Sequence, residues 1–269
     1  MAFREQKHVA VVAGLCSSLL FDFYVKTLGK EDFRNSSAAR LPLPSLGIFH
    51  LPITARVLAL NCLTSSYSAL WADEFDLAFT DQCWSQSDNA RLPHSFFAEL
   101  TSEWTHACAL RQDYGRRIAL VELDVLVAQA LGLSLDELLL MYRVQFPVMQ
   151  QYERDTWYDI NGRIVFTISK GLPGVGLPRK LTPALGRVTV ATPDGRTKQG
   201  LWGWEDVKTM WDRGELPDGT RIERQVMDDT LPGGPTLRTR TWVAPFALAN
   251  READYRTAWT FFENAGEDR

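Results

Sequence analysis

The chain has 269 residues, a formal net charge of −4, 45% hydrophobic and 23% charged residues, which suits a soluble globular protein of one large domain or two small ones. Its best apolar run near the N-terminus, Val9 to Leu20, is closed by Asp22 and Lys26 and is too short for a membrane span, while Arg4 and Lys7 alone make a poor signal peptide. The four cysteines, Cys16, Cys62, Cys83 and Cys108, form no CxxC pair, which argues for reduced thiols in a cytoplasm and against a disulfide frame or a zinc ribbon.

The first predicted element is an amphipathic helix over residues 5–28, with Val9, Val12, Ala13, Cys16, Leu19, Leu20 and Phe23 at the 3.6 period and Gly29 as its stop. Gly14, Ser17 and Ser18 give it a small-residue patch for close packing. The prolines of Ser36–Pro44 force an extended segment. A second helix starts at Pro52 and runs through Arg56, Leu60, Leu63 and Tyr67 to Trp71. Residues 72–94 read as an acidic and polar connection, followed by helices over Ser95–Leu110 and Asp113–Leu131, the latter stopped by Gly132. Ser134 and Glu137 form a capping box ahead of Leu135, Leu138, Leu139 and Tyr142. Pro147 then permits a new first turn, and a short helix through Gln150, Tyr152 and Arg154 leads to Trp157-Tyr158.

From residue 157 the pattern changes to strands, at 163–169, 186–191, 221–227 and 236–243. Asn161-Gly162 supplies the positive φ angles of a tight hairpin, and Pro193-Asp194-Gly195 and Pro232-Gly233-Gly234-Pro235 supply further turns. Trp204–Arg213 is a short helical pattern ended by Gly214, and Trp202 and Trp204 would share one face of a strand. Asn250 caps a last helix, Arg251–Glu263, that buries Tyr255, Trp259 and Phe262. The sum is an α+β fold: a helical part over 1–155 packed with a β-hairpin-rich part over 156–269, joined in one cooperative unit with the final helix.

A search for reaction chemistry finds binding surfaces and no reaction centre. His8, His50, His94 and His106 lack metal-ligand spacing, and a helix would turn His106 and Cys108 to different faces. Glu122 and Asp124 meet the same objection, and no serine sits in a nucleophile elbow. The informative contrast is local: between Ile160 and Arg187 stand Arg163, Lys170, Arg179, Lys180 and Arg187 with no acidic residue, in a chain that is acidic overall. Glycines in Gly171-Leu-Pro-Gly174-Val-Gly176 let a backbone approach a ligand, and the flanking cations neutralise phosphate. That spacing is neither a dinucleotide fingerprint nor a P-loop. Two readings stay open here: a hairpin and loop that touch nucleic acid, or an exposed turn kept soluble by its charges. Trp157-Tyr158 likewise stacks on a base or anchors the hairpin to a helical layer.

Leu15-Cys16-Ser17-Ser18-Leu19-Leu20-Phe21-Asp22-Phe23-Tyr24, then Gly29, then Leu41-Pro42-Leu43-Pro44, resembles a recurrent element of DNA target-recognition domains. That element occurs in type I restriction–modification specificity subunits and at the C-terminal side of adenine-specific DNA methyltransferases. Further stretches resemble the C-terminal region of type IIG restriction–methylase proteins: Leu60-Asn-Cys-Leu-Thr64, Ala119–Asp124, Tyr152–Tyr158 with Asn161-Gly-Arg163, Gly171-Leu-Pro-Gly174 and Asn250–Tyr255. The resemblance implies a recognition half. The S-adenosylmethionine pocket and the Asn-Pro-Pro-Tyr-type motif that holds a flipped adenine belong to that family's catalytic domain, and neither is visible in these residues. It implies a DNA-recognition module that works with a methyltransferase partner holding S-adenosylmethionine, with no cofactor of its own; the residue spacings and apolar runs add the expectation of no metal and no membrane. The candidate contacts to double-stranded DNA are Arg163, Lys170, Arg179 and Lys180, with Arg238 and Arg240 on one strand face as a second patch. The rival expectation is a scaffold whose helices bind another defence subunit without touching DNA.

Overall fold

The structure, a computed structural model, describes residues 7–29, 39–172, 174–229 and 232–267. Ser36 to Ala38 of the expected extended segment lie outside the described residues. The described residues form nine α-helices and two antiparallel sheets, an α+β architecture. In chain order the helices are α1 (Lys7–Ser17), α2 (Leu19–Thr27), α3 (His50–Asn61), α4 (Ser68–Glu74), α5 (Asp113–Ala130), α6 (Leu135–Gln145), α7 (Pro147–Glu153), α8 (Trp204–Asp212) and α9 (Arg251–Glu267). The strands are β1 (Trp157–Tyr158), β2 (Ile164–Phe166), β3 (Val188–Ala191), β4 (Thr197–Gly200), β5 (Arg221–Asp228), β6 (Thr236–Val243) and β7 (Ala247–Leu248). Contacts divide the chain into a helical unit, Met1–Gln150 with Asn250–Arg269, and a sheet unit, Gln151–Ala249. The last helix therefore belongs with the N-terminal helices.

Within the helical unit α5 is the axis, packed by α1, α3, α6 and α9. Most of its residues are buried, and three of them, Arg117, Glu122 and Asp124, are charged. Each of these three has its own partner. Arg56 of α3 donates through Nε to Glu122 Oε2 at 2.6 Å, with both side chains fully buried. The same guanidinium donates to the carbonyls of Pro52 and Cys83 and lies between the rings of Phe97 and Phe262, each centroid 5.1 Å away. Asp124 accepts from Arg251 Nη1 at 3.1 Å, from the Tyr255 hydroxyl at 2.6 Å and from the Leu19 N–H at 2.6 Å. Arg117 pairs with Asp254 at 2.6 Å. Glu122 and Asp124 thus serve different networks, as their two-residue offset on a helix requires. Burial first, and the Asp124 carboxylate next, push the Tyr255 hydroxyl well above the ordinary tyrosine range.

Several expected helices change their bounds. The helix expected over 5–28 breaks at Ser18, where α1 and α2 meet at 73°. Ser18 is extended, at φ −80 and ψ 147, and its hydroxyl accepts from the Phe21 N–H to open α2, while the Leu19 N–H turns out to Asp124. The small-residue patch is used by α3: a Cβ on Gly14 would stand 2.6 Å from Val57 and 2.9 Å from Ile53, closer than any side chain permits. The second helix ends at Asn61 instead of running to Trp71, which lies on the separate α4. Residues 95–110 form turns with a 3₁₀ segment at His106–Cys108, not a helix. Phe96 and Phe97 both pack on Trp84, with centroids at 6.1 and 4.8 Å, and two adjacent residues of a helix would point about 100° apart. The α5 helix and the Ser134–Glu137 capping box on α6 form as the pattern indicates, with Ser134 Oγ accepting from the Glu137 N–H.

In the sheet unit β2-β1-β7 make a small sheet and β4-β3-β5-β6 a larger one. The strands at 188–191, 221–228 and 236–243 fall where alternation places them. Strands β4 and β7 go unannounced in the sequence, because β4 is exposed along nearly its whole length and β7 has two residues. Trp204 sits at the centre of the core, against Trp157, Phe166 and Phe246. It opens α8 and does not share a strand face with Trp202. Strands β5 and β6 pair over eight residues each; Ile222 and Trp242 bury their inner end, and the outer end is largely exposed.

Candidate nucleic-acid interface

All six cations singled out from the sequence, Arg163, Lys170, Arg179, Lys180, Arg238 and Arg240, lie in the sheet unit. This unit carries fourteen Lys and Arg against twelve Asp and Glu, a net of +2, which leaves −6 on the rest of the chain. Charge is thus segregated between the two units, and the anion-attracting side is the one with the hairpins.

The loop after β2 is held by backbone contacts. The Leu177 N–H donates to Val165 O at 2.7 Å, and Gly176, at φ +76, lies so close that a Cβ would meet that same carbonyl at 2.6 Å. A side chain is excluded there by both backbone conformation and space. The end of the loop is fixed by the first turn of α8, whose Trp204 and Glu205 N–H groups donate to the carbonyls of Pro178 and Arg179. This loop and residue Leu185 wall a cleft of about 540 Å³, also lined by Thr167, Ser169, Arg179 and Arg224.

The hairpin before the loop differs from the expected tight turn. Among the described residues no non-glycine has positive φ, so Asn161 does not join Gly162 in a two-residue turn. Instead Asp159 closes a longer loop: its Oδ1 accepts from the N–H groups of Asn161 and Arg163, and its Oδ2 accepts from the Val243 N–H. Burial pushes the Asp159 carboxyl up, opposed by those same hydrogen bonds. Asp159→Ala leaves three N–H groups without their acceptor and should cost the sheet unit about 2–3 kcal/mol. Urea unfolding followed by tryptophan fluorescence measures this, and an unchanged midpoint would contradict it.

The candidate cations are not equally available. Lys170 is exposed in the loop, and Arg163 is exposed with Nη1 on Thr241 O. Arg179 pairs with Asp155 at 3.0 Å and Glu205 at 3.2 Å and lies over the Phe166 ring, and Lys180 stands 3.9 Å from Glu205. The acid-free stretch therefore receives its carboxylates from neighbouring segments, and Arg179 is the most neutralised of the set. Arg238 pairs with Asp228 across the ribbon at 3.2 Å. Arg240 donates to Gly174 O at 3.1 Å, next to the cleft. Arg224, which sequence reasoning passed over, lines the cleft and is directly opposite Arg240 in the β5–β6 register. Its one sequence signal is parity with Ile222, which sets it on the core-facing side of β5.

Trp157 packs on Trp204 and Trp211, with Lys208 over its ring, so its contacts are those of a hairpin anchor. Among the described residues no group of His, Cys, Asp and Glu is placed to hold a metal ion, and no single helix is long and apolar enough to cross a membrane. All four cysteines are free thiols, and burial, with Cys108 nearby, pushes the Cys62 thiol up to about 11. Comparisons with protein-family models, with curated proteins and with solved structures find no match to this chain.

Proposed function

We propose that the chain is a DNA target-recognition module of an adenine-specific methyltransferase or restriction–modification system, acting in the cytoplasm. Methyl transfer and its S-adenosylmethionine belong, in this reading, to a catalytic domain or subunit outside these residues. The observation that carries it is Arg224 in a loop-walled cleft with Arg240 directly opposite it and bonded to Gly174 O at the cleft's edge, in a unit of net +2 within a chain of net −4. The sequence resemblance adds the methyltransferase context. Exposed Lys170, Lys180 and Arg163 extend this positive surface and suit phosphate contacts, while arginines can also read guanine edges.

Charge reversal tests the assignment. Lys170→Glu with Lys180→Glu alters two exposed positions and should leave the fold intact. Each lost phosphate contact lowers the log–log salt slope of duplex binding by about 0.9. Arg40→Glu with Arg256→Glu, exposed on the helical unit, is the matched control. Equal binding by both double variants at several salt concentrations would remove the loop from the interface.

A second reading, a scaffold subunit that binds a protein partner, is favoured by Leu140, Val144 and Val148. Leu140 and Val144 lie one turn apart on α6 and Val148 on α7, with 60%, 66% and 58% of their surface exposed. Binding through such exposed apolar side chains would be nearly insensitive to salt, whereas phosphate contacts are not.

A further inference from the structure

We propose that Arg224 and Arg240 form a specific phosphate-binding site at the cleft between the β5–β6 ribbon and the glycine loop. The proposal deepens the DNA reading and rests on it for the source of the phosphate. The register sets the two arginines directly opposite each other, and like charges so placed repel. Both share the face that carries Ile222 and Trp242 into the core, which brings them to the cleft side of the ribbon. The Arg224 Nε and Nη2 reach only Leu185 O, at 3.4 and 3.3 Å, and Arg240 Nη1 reaches Gly174 O. Among the described residues neither guanidinium meets a carboxylate. Their neighbours do: Arg179, Arg196, Arg221 and Arg238 are each paired with an acid. Burial, with Arg240 facing it, holds the Arg224 guanidinium below the usual range.

Two facing guanidinium groups with spare N–H donors match a dianionic or diester phosphate, which accepts from both and cancels their repulsion. Thr167 and Ser169 add hydroxyls to the cleft, and Ile168, Leu172 and Val175 give it an apolar wall on which a sugar or other organic part of a phosphate ester can lie. A DNA backbone or a free phosphorylated small molecule would supply the same group.

Thermal unfolding of the full chain at constant ionic strength tests the site, with sodium chloride exchanged for sodium phosphate. The wild-type melting temperature should rise in phosphate. Arg224→Gln and Arg240→Gln should lose that rise. The same variants should bind a short duplex about tenfold more weakly. A phosphate shift of equal size in all three proteins would overturn the site. A site-dependent phosphate shift without duplex binding keeps the site, names a small phosphate ester as its ligand and removes the DNA reading. Duplex binding unaffected by either substitution, with no phosphate shift, keeps the DNA reading and removes the site.

Discussion

Glu122→Ala is expected to destabilise the helical unit by about 3–5 kcal/mol, the range for removing one partner of a fully buried ion pair. The variant strands the Arg56 guanidinium, which is fully buried between two phenyl rings, without its carboxylate. It also removes the acceptor of the Ser85 N–H, now at 2.6 Å from Glu122 Oε1. The carbonyls of Pro52 and Cys83 still accept from Arg56, but they cannot neutralise its charge. Combining Glu122→Leu with Arg56→Met replaces the pair by apolar groups of similar volume, and a buried pair so replaced is often neutral or better. The double variant should therefore recover most of what the single one loses. Urea unfolding of wild type, Glu122→Leu, Arg56→Met and the double variant gives the coupling directly. A single-variant loss below about 1 kcal/mol would show that Arg56 reaches water on its own.

Deleting residues 250–269 should have a still larger effect and leave the helical unit unfolded. The deletion removes Arg251 and Tyr255 from Asp124, and Asp254 from Arg117, so two buried charges each lose an ion-pair partner at once. It also strips Tyr255, Ala258 and Phe262 from the core. Breaking buried ion pairs, at about 3–5 kcal/mol each, with about 1.5–3 kcal/mol for a large apolar side chain, adds up to the whole stability of a typical domain. Far-ultraviolet circular dichroism should lose far more helix than the seventeen residues of α9 contain. A melting curve unchanged apart from that share would make α9 a dispensable appendage.

Legibility in the sequence followed the range of the interactions involved. Local signals were readable: the apolar period of α5, the Ser134–Glu137 box of α6 and the alternation of β5 and β6 depend on neighbours within a few residues. The break at Ser18 was hidden because the Leu19 N–H beside it pairs with Asp124, 105 residues away. Residues 95–110 looked helical for the same kind of reason, since Phe96 and Phe97 take their backbone from packing on Trp84 and not from propensity. At the candidate site the sequence showed the density of positive charge but not its neutralisation. Asp155 and Glu205 reach Arg179 only through the fold. The pairing of Arg224 with Arg240 depends on strand register across the β5–β6 turn, which composition does not specify.

The most direct test of the DNA assignment is the affinity of the full chain for a short duplex, measured by fluorescence anisotropy across a salt series. The account predicts measurable binding at low salt and a linear fall of log affinity with log salt, at about 0.9 per phosphate neutralised, which is shallower when Lys170 and Lys180 are reversed. Absence of binding at low salt, or an affinity indifferent to salt and to those two charges, would contradict it.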